Sequence, residues 1–334
     1  MKEGGRLVKV TDLKSDNIHL IRECFYDRQV WTKNKLAKRT NLSLAATTNI
    51  LQYLLKQQEI KLAGEADSTG GRKSKQYILN KDYYHLAALS LKRDDTNFYF
   101  ILNVIDLLAN VLETKKINKK TGTVNDLLEV IEEFVEKDCK IAILALSIPG
   151  VCQDGKIDIC DFDELVNIDL LSLIRERFNL EVMIENDVNA AGIGFANYYP
   201  KAQNIALMYQ PKIKYIGCGI LINRQLCKGY TNFAGELSYL PFITHHQQDK
   251  MLQSNPNSLL LKQLVTICCV INPEIIGVCS DFFDVFNASE LINYLPQKHW
   301  PKIIDVENFD ELIYVGLYNL GMKRLKNKTR REDN

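Results

Sequence analysis

The segment IAILALSI, residues 141–148, is apolar at every position except one serine, and a Pro-Gly pair follows it directly. A strand without a polar face must be covered on both sides, as in sheets that have helices packed on each face. The segment therefore predicts a central strand of an α/β sheet that ends at Pro149.

Strand and helix patterns alternate on both sides of this segment. Three strand patterns precede it, HLAALSL, FYFILNVIDL and NVLETKKI, and an amphipathic helix is predicted over residues 124–137. Helices are predicted over 165–178 and 189–199, with strands EVMIEND, NIALMYQ and YIGCGILI around them. This alternation predicts α/β architecture for residues 83–334.

Residues 1–82 differ in pattern and in charge. They carry 16 basic and 9 acidic side chains, whereas residues 83–334 carry 26 basic and 32 acidic ones. The whole-chain charge of +1 thus conceals a net +7 in the first part and −6 in the second. At 334 residues the chain also exceeds the size that one core usually fills. We predict two domains, 1–82 and 83–334, and charge asymmetry of this kind is a cue for a nucleic-acid partner.

Three helices are predicted within residues 15–58. Ser15 can cap the first, the second covers 32–39, and Ser43 can cap the third. The apolar face of the third consists of Leu44, Thr47, Ile50, Leu51, Leu54 and Leu55. Two short helices joined by a tight turn are typical of a helix-turn-helix, whose second helix reads base edges in the major groove.

The segment KLAGEADSTGGRKSKQYILN follows these helices and predicts a hairpin with Gly70 and Gly71 at its tip. A basic hairpin after a helix-turn-helix is the wing of a winged helix. The residues predicted to contact operator DNA are Lys33, Lys35, Ser43, Thr47, Thr48, Asn49, Arg72, Lys73 and Lys75; Thr47 therefore stands both in this set and on the apolar face. The alternative is a three-helix bundle with a solvated loop that contacts proteins.

Composition indicates the compartment. The nine cysteines are scattered without a CxxC pair, and the N-terminus has no apolar signal region. We expect reduced thiols in a cytoplasmic protein. No run of about 18 uncharged apolar residues occurs, so no membrane partner is expected.

Three strand ends carry polar or glycine signals, and ligand sites in α/β proteins lie at the carboxyl ends of strands. In IENDVN, residues 184–189, Asp187 could act as a general base, or an Asp or Asn could cap the next helix. Gly217–Cys218–Gly219 could let the backbone approach a phosphate or form a hairpin bend. In FAGEL, residues 233–237, Glu236 could accept hydrogen bonds from hydroxyl groups or lie on the surface.

Together these segments resemble the ROK family (repressors, open reading frames, kinases), and within it the regulators similar to N-acetylglucosamine and xylose repressors. The resemblance extends over nearly the whole chain. Its segments are NLSLAATTNILQYLLKQQEI, STGGRKSKQYILN, SIPGVCQDGKI, IENDVNAAGIG, YIGCGILINRQLCKGYTNFAGEL and INPEIIGV.

The resemblance implies a winged helix-turn-helix followed by a two-lobed, actin-like (ribonuclease-H-like) domain with a sugar cleft. The lobes would be residues 83–187 plus the C-terminal helix, and residues 188–305. In family kinases the Asp that matches Asp187 deprotonates the sugar hydroxyl, and the residues that match Asn186 and Glu236 bind the sugar. In family repressors the cleft takes a sugar or sugar phosphate, and a dimer or tetramer binds operator DNA.

The chain departs from the family kinases at three places. Their Asp-x-Gly-Gly-Thr turn, which holds ATP phosphate, is replaced by LSLKRDDTNFYF, which has no glycine. Cys218 replaces the usual Thr, and Val278–Cys279–Ser280 replaces the C-terminal glycine pair. We therefore expect no ATP, no catalytic residue and no kinase activity, with Asp187 a vestigial base.

The zinc motif of the family is also missing. Ser238–Tyr239 stands where the family has Gly-His, and no cysteine occurs between Cys227 and Cys268. His245 and His246 are adjacent, so their side chains diverge and cannot easily share a metal. We expect no metal and no cofactor. Tyr239 could still stack on or hydrogen-bond a sugar, so it joins Asn186, Asp187 and Glu236 as an expected effector contact.

The sequence thus predicts a cytoplasmic, sequence-specific regulator, a repressor of carbohydrate metabolism, that binds operator DNA as a homodimer or homotetramer. A small carbohydrate in the cleft would be its effector. Two alternatives remain open: a sugar kinase with an appended DNA-binding module, and a constitutive DNA-binding scaffold whose ligand-dead domain only dimerises.

Overall fold

The computed structural model describes residues 10–66, 73–212, 216–241 and 244–332. Residues 10–66 and 73–79 form an N-terminal module of three helices and a three-stranded sheet. Its elements are α1 (Val10–Phe25), β1 (Trp31–Thr32), α2 (Lys33–Thr40), α3 (Leu44–Lys56), β2 (Ile60–Ala66) and β3 (Ser74–Leu79). The strands β2 and β3 form an antiparallel hairpin, to which β1 adds on the β3 side. The predicted hairpin tip, with Gly70, Gly71 and Arg72, lies outside the described residues.

Local hydrogen bonds fix the ends of α2 and α3. Thr32 caps α2, which ends at Asn41 in the left-handed conformation (φ 57°), a conformation that asparagine tolerates well. The Ser43 hydroxyl then accepts the backbone N–H of Ala46 at 3.1 Å and caps α3, as predicted. The two helices are thus joined by a turn of three residues, and they pack with α1 around the fully buried Leu36 and Leu54.

The first lobe contains a five-stranded sheet in the order β10-β7-β4-β5-β6. Its elements are β4 (His85–Arg93), β5 (Phe98–Asp106), β6 (Val111–Lys119), α4 (Val124–Lys137), β7 (Ile141–Ile148), β8 (Gly150–Gln153), β9 (Lys156–Cys160), α5 (Leu170–Phe178) and β10 (Glu181–Asn186). The strand β7 is parallel to β4 and β10 and is buried at every position, which confirms the central strand predicted from its apolar run.

The second lobe contains another five-stranded sheet, in the order β13-β12-β11-β14-β15. Its elements are α6 (Asp187–Asn197), β11 (Ile205–Gln210), β12 (Gly217–Ile222), β13 (Gln225–Leu226), α7 (His245–Ser254), α8 (Pro256–Val270), β14 (Ile275–Ser280) and β15 (Lys302–Asp305). The strand β14 is parallel to β11 and β15, so their carboxyl ends share one edge of the sheet. The α/β class is confirmed in both lobes.

A pair of helices joins the two lobes. The helix α9 (Phe309–Glu332) packs on β4 and β7, whereas α6 packs on β11 and β12. The backbones of α6 and α9 touch, because a Cβ atom at Gly316 would lie 1.8 Å from the Ala190 carbonyl oxygen, and one at Gly194 would lie 2.0 Å from that of Leu312. Glycine is therefore required at this crossing.

The same helix reaches the N-terminal module. At the far end of α9, Lys326 Nζ lies 3.2 Å from Glu23 Oε2, and Arg330 Nη2 lies 3.2 Å from Asp16 Oδ1. At 24 residues, α9 is about 36 Å long. In the part of the chain that the structure describes, no helix has the length and apolar character that a membrane span requires.

Candidate effector cleft and nucleic-acid interface

A cleft of about 560 Å³ lies between the two lobes, at the carboxyl ends of their parallel strands. The first lobe contributes the turn after β4, the segment after β7 and the junction of β10 with α6. The second lobe contributes residues at the ends of β11 and β14. The polar and charged lining residues are Lys92, Arg93, Asp94, Asp95, Asp161, Asn186, Asp187, Tyr209, Lys212, Glu236 and Asp281.

Asn186 is the residue that caps α6, whereas Asp187 lines the cleft. Asn186 caps α6: its Oδ1 accepts the Asn189 backbone N–H at 2.9 Å, and its Nδ2 donates to the Gly150 carbonyl at 3.0 Å. Asp187 is the first residue of α6, and its carboxylate lines the cleft. Because an amide has two N–H groups and two lone pairs, Asn186 keeps hydrogen-bonding capacity for a ligand.

The carboxyl groups of Asp187 and Glu236 are both perturbed. Burial raises the pKa of Asp187 to about 7, and the negative charges of Asp161 and Glu236 add to this effect while Lys92 opposes it. Burial also raises the pKa of Glu236 to about 7. Near neutral pH each carboxyl group is therefore partly protonated and can donate or accept a hydrogen bond to a hydroxyl group.

Gly235 explains how Glu236 reaches the cleft. It has a φ of +101°, and a Cβ atom there would lie 2.0 Å from the Cys218 carbonyl oxygen. The Cys218 N–H donates to the Gly235 carbonyl at 2.9 Å, so the turn lies directly on β12. This close approach places the next residue, Glu236, beside the cleft.

The glycines of β12 do not form the hairpin bend considered for them, and Gly217 lines the cleft. A Cβ atom at Gly219 would lie 2.4 Å from the Val188 carbonyl oxygen, and one at Gly217 would lie 2.9 Å from a Val188 methyl group. Both glycines lie inside a regular strand. Their small size allows α6 to approach the sheet, which in turn positions Asp187.

The structure does not bring Tyr239 to the cleft, which corrects the expectation for this residue. Tyr239 is not among the lining residues and is 41% exposed. Its ring packs edge-on against Phe233, with 4.9 Å between the centroids. The Tyr239 ring therefore contacts an aromatic residue of its own loop.

The sequence reasoning missed several cleft residues. Asp281 directly follows β14, so the rule for strand ends could have identified it. Asp161 comes after the β8–β9 hairpin and has no such signal. Tyr209 and Phe309 are stacked with centroids 3.9 Å apart although they are 100 residues apart in sequence, and no local pattern indicates such a pair.

Two of the cations that line the cleft, Lys92 and Arg93, already have acidic partners. Lys92 forms an ion pair with Asp310. Arg93 contacts Asp163 at 2.9 Å and donates to the Asp161 carbonyl at 2.7 Å. The anions of the cleft are therefore not neutralised by these two side chains.

Metal ligands are the remaining question for this region. In the described ranges, no group of three or more His, Cys, Asp or Glu side chains is arranged to hold a metal ion. His246 is exposed, and the side chain of His245 lies outside the described residues. The expected loss of the zinc site stays a prediction.

A second groove lies in the N-terminal module, between α3 and the hairpin. Its lining includes Lys33, Asn34, Thr48, Gln52, Glu65, Lys73, Lys75 and Tyr77. Four of the predicted DNA contacts, Lys33, Thr48, Lys73 and Lys75, thus meet at one surface. Lys35 and Asn49 are exposed, and Ser43 is exposed while its hydroxyl caps α3.

Thr47 cannot contact DNA, which corrects that part of the prediction. It is 0% exposed, and its hydroxyl donates to the Ser43 carbonyl at 2.9 Å. Leu44, expected on the apolar face, is instead 51% exposed. The buried stripe of α3 begins one turn later than predicted, at Thr47, because the first turn of the helix extends beyond the module's core. Arg72 lies outside the described residues.

Known proteins resemble this chain in sequence and in fold. The ROK family profile matches residues 96–251. The xylose repressor of Caldicellulosiruptor bescii is 25% identical over 240 residues, which are 69% of this chain and 59% of that protein. The DNA-binding transcriptional dual regulator NagC of Escherichia coli is 21% identical over 217 residues, which are 62% of this chain and 52% of NagC. The chain spans about three fifths of the length of the xylose repressors it matches.

Among solved structures, a ROK family transcriptional regulator described as a homologue of the E. coli MLC protein superposes with a TM-score of 0.69. The match covers 96% of this chain and 100% of that one, at 15% sequence identity, so the two share a fold. Residues 96–251 therefore match the ROK family, and the resemblance seen in the sequence is confirmed.

Proposed function

We propose that the chain is a sequence-specific, sugar-responsive transcriptional repressor of carbohydrate metabolism. One observation carries the proposal: a cationic groove in the N-terminal module and an acidic cleft between the lobes occur in one chain and are joined by α9. The names of the matched relatives, xylose repressor and NagC, support it.

The N-terminal module has the element order of a winged helix-turn-helix. The three-residue turn between α2 and α3 and the hairpin β2–β3 suit a module that places α3 in the major groove. Thr48 and Asn49 would then meet base edges, whereas Lys33, Lys35, Lys73 and Lys75 would contact phosphates. Ser43 would act through the cap that fixes the start of α3.

The cleft would hold the effector. Asn186, Asp187 and Glu236 offer donors and acceptors that suit the hydroxyl groups of a sugar, and the charge-assisted hydrogen bonds of carboxylates are the stronger kind. The proposed function needs neither ATP nor zinc. The sugar changes only the binding of the chain to DNA.

The helix α9 would transmit the effect. Phe309, its first residue, lines the cleft, and Lys326 and Arg330 near its other end hold α1. A sugar that favours one arrangement of the lobes would therefore move α9 and with it the N-terminal module. In a homodimer or homotetramer this movement would alter the spacing of paired modules relative to two half-sites.

The test is competition binding on genomic fragments with the full chain at several salt concentrations. We expect a fragment that outcompetes random DNA, with affinity that falls as salt rises because phosphates release counterions. The proposal fails if no fragment outcompetes random DNA. Thermal unfolding with a panel of sugars separates a responsive repressor, whose Tm rises, from a ligand-dead scaffold.

A sugar kinase is the second candidate, favoured by the pKa of about 7 that burial gives to Asp187, a value suited to a general base. Phosphate transfer from ATP to a panel of hexoses tests it. Transfer by the folded chain that is lost in Asp187→Asn would support this function, and no transfer would reject it.

A further inference from the structure

The turn between β4 and β5 contains an internal anion. Oδ1 of Asp94 accepts the backbone N–H groups of Thr96 and Asn97, both at 2.8 Å, and Oδ2 accepts the Tyr99 hydroxyl at 2.6 Å. Successive N–H groups of a turn form the kind of concave site that binds a phosphate. Here the chain's own carboxylate fills that position on the wall of the cleft.

Hydrogen bonds keep this carboxylate charged. The bonds from the Tyr99 hydroxyl and the Thr96 N–H hold the pKa of Asp94 well below its usual range. Asp94 therefore stays anionic throughout the physiological pH range, and an incoming phosphate meets a negative charge where the turn would otherwise offer donors.

The second lobe also uses its donors internally. Oδ2 of Asp281 accepts the Lys212 backbone N–H at 3.2 Å and the Tyr209 hydroxyl at 3.3 Å. The Tyr209–Phe309 stack and the Lys92–Asp310 ion pair lie between the Asp281 side of the cleft and the first lobe. A nucleotide lying along the cleft would have to displace both contacts.

The charge of the lining also opposes a phosphate ester. Among the lining residues that the structure describes, six carboxyl groups face three cationic side chains, and two of those cations, Lys92 and Arg93, are paired with acids beyond the lining set, Asp310 and Asp163. Like charges brought together in a cleft of low effective dielectric repel strongly. Neutral hydroxyl groups carry no such penalty and can bond to Asp187 and Glu236.

From this geometry we infer that the cleft takes an unphosphorylated sugar and excludes sugar phosphates and nucleotides, with Asp94 as the residue that determines this specificity. The inference rests on the proposed function for the existence of a sugar effector. It narrows the class of that effector to neutral polyhydroxyl compounds.

The experiment is calorimetric titration of the full chain with matched pairs of ligands. The pairs are D-glucose with D-glucose 6-phosphate, D-xylose with D-xylose 5-phosphate, and N-acetylglucosamine with its 6-phosphate. We expect the neutral member of at least one pair to bind at least tenfold more tightly than its phosphate ester. Tighter binding of a phosphate ester than of its neutral partner would overturn the inference.

Variants of the turn test Asp94 directly, with inorganic phosphate and magnesium ATP as probes. Asp94→Gly should expose the Thr96 and Asn97 N–H groups and gain at least tenfold in affinity for phosphate. Asp95→Asn is the matched control, because it removes one charge from the same turn while the Asp94 hydrogen bonds remain, and we expect phosphate to stay excluded. Asp94→Asn keeps the shape of the turn and should give a smaller gain in affinity for phosphate. It keeps the test valid if Asp94→Gly does not fold.

These arms separate the two proposals. If no sugar of any pair binds, the sugar-responsive function fails, whereas a gain of phosphate binding in Asp94→Gly over Asp95→Asn still supports the role of Asp94. Equal behaviour of the Asp94 and Asp95 variants, each shown to be folded by circular dichroism, would reject that role.

Discussion

The two candidate surfaces of this chain are built in opposite ways. The groove of the N-terminal module comes from residues 33–77, a short stretch of sequence, and is rich in lysine. The cleft gathers residues from 91 to 309 and is rich in carboxyl groups. A surface formed by residues close in sequence can be predicted from helix and hairpin patterns. A surface formed by distant strand ends depends on how the two lobes pack.

The largest expected effect tests whether the N-terminal module unfolds independently of the two lobes. Arg22 and Glu59 form a bidentate ion pair inside the N-terminal module, at 2.6 and 2.9 Å, and both are more than nine-tenths buried. Arg22→Met leaves Glu59 buried without its partner, so the module should lose about 3–5 kcal/mol. Urea unfolding followed by Trp31 fluorescence, in a Trp300→Phe background, measures this.

An exposed pair supplies the control for that prediction. Lys61 and Asp82 are 3.8 Å apart and Lys61 is largely exposed, so Lys61→Met should cost less than about 1 kcal/mol. Sugar binding in the cleft should persist in Arg22→Met. If Arg22→Met lost DNA binding and sugar binding together, the N-terminal module and the two lobes would unfold as one unit.

The next effect concerns the connection between the regions. Gly316→Ala places a methyl group against the Ala190 carbonyl oxygen, and overpacking of this kind costs about 1–3 kcal/mol. We expect a lower Tm and a weaker effect of sugar on DNA binding, measured by anisotropy. Val315→Ala, the adjacent half-buried position, should change the sugar effect little, and equal effects of the two variants would contradict a specific α6–α9 contact.

A pH-dependent effect belongs to the cleft alone. Burial raises the pKa of native Asp187 to about 7, above the usual aspartate value, so the cost of ionising it in the fold grows as the pH rises from about 4 to 7 and is fully present above pH 7. Asp187→Asn should therefore stabilise the chain by on the order of 2 kcal/mol at pH 8 and by less at pH 5. Urea unfolding at the two pH values checks this prediction. A gain in the free energy of unfolding that is larger at pH 5 than at pH 8 would contradict it.

The smallest effect belongs to the groove. Lys73→Ala should weaken binding to all DNA sequences and lower the salt slope by about one phosphate contact. Lys116→Ala, an exposed lysine of β6 in the first lobe, is the control and should leave the slope unchanged. Binding isotherms at several salt concentrations give both slopes. A change of preference at one base pair, rather than of the slope, would mean that Lys73 reads sequence.

Particular residues show how far the sequence could lead. The buried strand β7, the Ser43 cap and the hairpin followed from local patterns and were found where expected. Thr47 was predicted both on the DNA-contacting face and on the apolar face of α3, because the sequence pattern alone does not say where the core begins along this helix.

The cleft was readable only in part. Asp187 and Glu236 stand at a strand end and after a glycine turn, which are local signals, and both line the cleft. Phe309 meets Tyr209 only because α9 returns across both lobes, and the Phe233 contact that holds Tyr239 is equally invisible in a pattern of residue types. Tertiary packing decided these positions.

The central claim, that one chain couples a sugar cleft to a DNA groove, is tested most directly by the Kd for a selected genomic fragment. It should be measured at fixed salt, with and without a saturating amount of a sugar that raises the Tm, beginning with D-xylose. We expect binding about a thousandfold tighter than to random DNA, and a Kd at least fivefold higher with sugar. A Kd that does not change when the sugar is bound would contradict the claim.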